Sequence, residues 1–118
     1  MAAMFEYKRS ERVGDQIRME IADILMTKVK DPRIGFITVT SVKVSDDLRN
    51  AKVFISVLGA DAARSFQGLE KARSFIRSEL GRRLKLRFVP ELSFHEDHTA
   101  EEAAKIYELM EKIKEPPS

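Results

Sequence analysis

Apolar side chains between Ser10 and Lys30 fall at Val13, Ile17, Ile21, Ile24 and Leu25, three or four residues apart, which is the period of one helix face. Ser10 is the expected N-cap, and the following "DPRIG" ends the helix, because Pro32 disfavours helical geometry at Asp31 and Gly35 punctuates a turn. "FITVTSVKV" (36–44) and "AKVFISVL" (51–58) are rich in β-branched residues and flank the turn-like "SDDLRN", so they predict an antiparallel hairpin. From Asp61, a good cap, to Gly81, a good stop, the pattern is helical again, with Phe66, Leu69, Ile76 and Leu80 on one stripe. Arg73 falls inside that stripe. A straight helix would aim its guanidinium at the core, so a kink is expected at Ala72, Arg73 and Ser74. "LKLRFVPELSF" then alternates, with Leu84, Leu86, Phe88, Pro90, Leu92 and Phe94 on one side, as a half-buried strand placed at an edge or bulge by Pro90. Thr99 and Glu102 form an expected capping box for a last helix with Ala103, Ile106, Met110 and Ile113 inward. The order predicts an α+β fold with helices on one face of a small mixed sheet.

Composition narrows the classes. With 118 residues and 43% hydrophobic, the chain suits one domain, read as 10–114 between a basic N-terminal tail at 1–9 and a C-terminal tail at 115–118. The absence of cysteine excludes disulfides and thiolate zinc sites. No apolar run approaches the ~20 residues of a membrane span, and "MAAMFEYKRS" lacks the apolar centre of a signal peptide, so a soluble, cytoplasmic monomer is expected. The glycines, at 14, 35, 59, 68 and 81, form no Gly-x-x-Gly clamp, P-loop or dinucleotide fingerprint.

The formal net charge of +2 hides an uneven distribution: residues 64–87 carry eight basic and two acidic side chains, and 88–118 carry three and eight. "KARSFIRSELGRRLKLRF" alone holds seven bases and one carboxylate. Arginines grip phosphates through paired N–H donors, and a helix terminus at a kink would add backbone donors. The candidate RNA-binding residues are therefore Arg73, Ser74, Arg77, Arg82 and Arg83, then Lys85, Arg87 and Lys71. Lys8, Arg9 and Arg12, whose charge opposes the dipole of the first helix, are auxiliary contacts. The bland reading is a solvated face whose long stems cover the core. Two other classes stand beside RNA binding: a salt-tolerant protein-interaction module, and a metal-dependent hydrolase using His95, Asp97 and His98 of "HEDH". No second ligand cluster and no Gly-x-Ser-x-Gly elbow supports catalysis, so no metal, cofactor or enzyme activity is expected.

"DPRIG", "VSDDLRNAKVFIS" (44–56) and "FIRSELGRRLKLRFVPELSFHED" (75–97), in this order and spacing, resemble the bacterial ribosome-binding factor A family from about Arg12 to Asp97. The Leu84, Lys85, Leu86, Arg87, Pro90, Leu92, Phe94, Asp97 series carries most of the likeness. The resemblance implies a type II KH-like domain with a three-stranded mixed sheet, in which an Ala-x-Gly kink replaces the Gly-x-x-Gly loop. Here the kink is Ala72-Arg73-Ser74, with Ser in place of Gly. It further implies binding to 16S rRNA in the immature small (30S) subunit, help with late maturation including 5′-end processing, and a role in cold adaptation. Small-subunit proteins and an assembly GTPase are implied as further partners.

Overall fold

Residues 8–59 and 61–114 are described by the structure, a computed structural model. They form α1 (Arg9–Thr27), β1 (Phe36–Val44), β2 (Asn50–Leu58), α2 (Ala62–Leu84), β3 (Glu91–Glu96) and α3 (Thr99–Lys114). Of the expected tails, only Lys8 and Arg9 lie among these residues.

Along α1, Ile17, Ile21 and Ile24 are fully buried, with Val13 and Leu25 packed around them, as their spacing predicts. The helix starts before its expected cap: the Arg12 N–H bonds the Lys8 carbonyl at 3.0 Å, so the first turn closes on Lys8 and takes Ser10 inside it. Gly14 sits where α1 meets β1. A Cβ there would stand 2.6 Å from the Val42 carbonyl oxygen, so the missing side chain permits the close approach.

The sheet order is β1-β2-β3. β1 and β2 pair antiparallel, from Phe36 opposite Leu58 to Val44 opposite Ala51, with one irregularity between Val39 and Ser41. β3 runs parallel to β2, from Asn50 opposite Glu91 to Ile55 opposite Glu96. A parallel pair needs a long crossover, and α2 supplies it. Val39, Ala51, Val53, Ile55, Leu92 and Phe94 point from the sheet into the same core as the buried stripes of α1 and α2. Across the opposite face, Lys43 lies 5.8 Å from the Phe54 ring, whose centroid is 5.5 Å from that of His95.

α2 departs from expectation in two ways. It is one helix from Ala62 to Leu84, without a break at Ala72-Arg73-Ser74. Its inward positions are Ser65, Gly68, Leu69, Ile76 and Leu80, with Ala72 packed beside them, and Phe66 is only partly buried. That stripe is rotated away from the one drawn through Phe66, so Arg73 stands at its margin and is about half exposed on the unbroken helix. Ser65 earns its buried place by donating to the Ile34 carbonyl at 2.7 Å, fastening the turn after α1. Nor does the helix stop at Gly81. It continues to Leu84, and Lys85 caps it in the left-handed region (φ 51°) with its N–H on the Gly81 carbonyl. Gly81 instead makes room for Val89, whose Cγ2 would lie 2.7 Å from a Cβ there.

The third strand is correspondingly shorter than its alternation suggests, beginning only at Glu91. Pro90 has no N–H to give a ladder, and the Val89 and Pro90 carbonyls accept from the Arg77 guanidinium at 2.8 and 3.1 Å. A side chain thus satisfies groups that a strand would have paired. At α3, Asp97 rather than Thr99 does the capping, accepting the Thr99 N–H at 2.9 Å. The expected inward residues Ile106, Met110 and Ile113 are 58%, 51% and 82% exposed. α1 and α2 already cover the inner face of the sheet, so no core surface remains for them. Among the described residues, no helix is long and apolar enough to cross a membrane.

Candidate nucleic-acid interface

The second half of α2 and the loop returning from it enclose a cleft of about 380 Å³, lined by Arg73, Ser74, Arg77, Ser78, Arg87, Phe88, Val89 and Glu91. Helical geometry brings Arg73 and Arg77 to one side, four residues apart. The left-handed Lys85 then reverses the chain and brings Arg87 across from them. Glycine is the usual residue in that conformation, and a lysine there places a cation at the mouth of the reversal at some backbone cost.

The predicted cations play unequal parts. Arg73 is about half exposed and its guanidinium is 3.7 Å from Glu70, a loose pair that a phosphate can displace. Arg77 is the fastener of the loop, holding the Val89 and Pro90 carbonyls, and lies 3.3 Å from Glu91. Arg87 places its guanidinium carbon 5.5 Å from the Phe88 ring centroid. Arg82 pairs with Glu79 and projects into solvent. Arg83 faces α1, where it donates to Glu20 at 3.1 Å and Asp23 at 2.6 Å, and these carboxylates, Asp23 foremost, raise its pKa. It joins the two helices on a flank apart from the cleft. Lys71 lies two residues before Arg73 on another side of the helix, lining a separate hollow with Arg33 and Glu70, and its charge helps depress Asp31. Lys8, Arg9 and Arg12 stand at the start of α1, with Lys8 beside Val42 and Val44 of β1, so they form a separate group.

Ser78 and Phe88 also line the cleft, and sequence reasoning passed over both. Phe88 matched the apolar side of an alternating strand, yet its ring is 74% exposed. The signal that could have shown this is Pro90, which already argued against regular pairing just there.

"HEDH" is not gathered into one site. His95 stacks on Phe54 and shares a 2.9 Å hydrogen bond with Ser93, while His98 lies 3.3 Å from Glu96 and 3.2 Å from Glu101. Asp97 accepts from Thr40 and Thr99. Among the described residues, no three His, Cys, Asp or Glu side chains are grouped to hold a metal ion.

The profile of the family described as ribosome-binding factor A matches residues 9–110. The chain belongs to that family. A ribosome-binding factor A of Staphylococcus carnosus is 51% identical over 107 residues, covering 89% of this chain and 93% of the relative, and one from Syntrophus aciditrophicus is 48% identical over 112 residues, covering 93% and 91%. The fold is shared with the crystal structure of ribosome-binding factor A from Thermus thermophilus (TM-score 0.67, 23% identity, 74% of this chain and 94% of that one). A Thermotoga maritima protein solved by NMR is similar too (TM-score 0.64, 31% identity, 73% and 84%). A Thermus thermophilus homology model fitted into a cryo-electron-microscopy map of a complex with the 30S subunit has a TM-score of 0.65 at 22% identity, covering 79% of this chain and 97% of that one. The order α1-β1-β2-α2-β3, with β2 and β3 parallel, is the type II KH-like arrangement.

Proposed function

We propose that this protein binds the immature small ribosomal subunit in the cytoplasm through 16S rRNA and assists its late maturation, including 5′-end processing and growth in the cold. The observation that carries the reading is the convergence of Arg73, Arg77 and Arg87, with the hydroxyls of Ser74 and Ser78, on one cleft beside a loop pinned to α2. Such a surface neutralises phosphates and fixes their position. Family membership, and the 30S complex of the Thermus relative, supply the class of RNA. The protein acts as a monomer and by binding rather than catalysis. It favours one conformation of the particle through differential affinity, and leaves when maturation, aided by an assembly GTPase and contacts with small-subunit proteins, removes that preference.

Binding to purified small subunits over a salt series tests this, with wild type compared to Arg73→Ala/Arg87→Ala. The expected result is a steep loss of affinity with salt, and a log–log slope shallower by roughly 0.7–0.9 for each phosphate contact removed. Salt-insensitive binding, or a double variant with the wild-type slope, rejects the reading.

A further inference from the structure

We propose that Phe88 is a stacking platform for an unpaired base, so that the cleft takes single-stranded RNA in preference to an A-form duplex; this rests on the rRNA reading above. Phe88 is 74% exposed while its neighbours go inward: Val89 packs on the core and Pro90 is fully buried. The ring does not hang from a loose loop. The Lys85 N–H is bonded to Gly81, the Val89 and Pro90 carbonyls to Arg77, and the Glu91 N–H to the Arg49 carbonyl at 2.8 Å. A large apolar surface is thus presented to solvent by a backbone fastened on both sides, the arrangement that lowers the ordering cost of binding a flat ligand.

The surroundings select the ligand. Arg87 lies over one face of the ring and leaves the other for a base, Arg73 lines the same cleft, and Ser74 and Ser78 add hydroxyls that suit a ribose or a base edge. Among the described residues, Glu91 is the one carboxylate in the lining, and Arg77 already holds it. An aromatic face ringed by cations fits a base with its phosphate, because every base has a π-face and every linkage a negative charge. In a duplex the bases are stacked on one another and the A-form major groove is too narrow for the ring to reach them. An apolar peptide would use the ring but would leave the arginines unmatched.

The test uses the full chain and two fluorescent probes: an unstructured single-stranded RNA of about ten nucleotides carrying 2-aminopurine, and an A-form duplex of the same length. Phe88→Ala is expected to weaken single-strand binding roughly 5- to 150-fold, the span of one lost base–aromatic stack, with the salt slope unchanged. Quenching of 2-aminopurine should disappear with it, duplex binding should hardly move, and Phe88→Tyr should restore both affinity and quenching. Salt-sensitive RNA binding that Phe88→Ala leaves intact, or reduces equally for both probes, overturns the stack while the rRNA reading stands. Loss of small-subunit binding in Phe88→Ala with oligonucleotide binding unchanged also overturns it and assigns the ring to a protein contact. A wild-type chain that binds no RNA rejects both ideas together.

Discussion

The Asp97 carboxylate accepts hydrogen bonds from the hydroxyl of Thr40 on β1, at 2.6 Å, and from the hydroxyl and N–H of Thr99 at the start of α3. Thr40 contributes most to holding its pKa at about 2, against an ordinary 3.8. Asp31, which accepts from the Arg33 guanidinium and N–H, is lowered to about 2 in the same way. Because these carboxylates bind protons more weakly in the folded chain than in the unfolded one, their stabilisation is complete above about 3.8 and is lost as pH falls through about 2. Asp97→Asn should therefore show a shallower fall of melting temperature over that acid range than wild type, measured by circular dichroism. An unchanged acid limb would mean that the Thr40 and Thr99 bonds do not discriminate between the two protonation states. Asp97 was readable from sequence only as one member of "HEDH". Its partner Thr40 lies 57 positions away, and nothing short of the strand pairing joins them. The same limit applies to the arginines: their number was plain, but the turn of α1 that engages Arg83 is set by how two helices pack.

Elements were legible where one period dominated. α1, β1 and β2 follow from three- and four-residue spacing or β-branched runs, because each buries one face against a single neighbour. α2 was misread because its inward stripe contains Ser65, Gly68 and Ala72, small or polar residues that carry little hydrophobic signal, so the larger Phe66 drew the stripe too far round and made Arg73 look buried. The stretch 84–90 failed for the opposite reason. Its alternation was genuine, but Arg77 satisfies the carbonyls and leaves Phe88 outside. Gly14 tests the packing of elements directly. Gly14→Ala should improve helix propensity by about 1 kcal/mol yet push a Cβ against the Val42 carbonyl, a backbone atom that cannot rotate aside. Overpacking of this kind costs about 1–3 kcal/mol, so the net expectation is a destabilisation of up to about 2 kcal/mol, read as a lower urea midpoint at unchanged slope. A variant as stable as wild type would show that α1 can lift from β1 freely.

At the scale of the whole molecule, the short axis is 19 Å, the thickness of one helix layer on one sheet, while the long axis is 64 Å. Charge is separated along this flat body. The cleft lies at the beginning of β3 and α3 leaves from its end, about 17 Å away at the rise of a strand. That exceeds the roughly 8 Å over which exposed charges act at physiological salt, so Glu101, Glu102, Glu108 and Glu111 of α3 do not neutralise the cleft. α3 is also energetically separate: its described side chains, including Ile106, Tyr107, Leu109, Met110 and Ile113, are exposed, and the core closes without them. A chain ended after Glu102 keeps Asp97, Thr99 and Thr40 and, among the described residues, loses exposed side chains. Its stability should lie within about 0.5 kcal/mol of the full chain, a melting shift of about 2–4 °C at most, and its RNA salt slope should be the same. A fall of about 10 °C or more would require that α3 lie against the body in solution. The helix-free face of the sheet, where Phe36 and Leu58 sit opposite one another and are 82% and 69% exposed, would then be the surface to probe, by exchanging each for serine and asking whether the full chain falls to the truncated melting temperature.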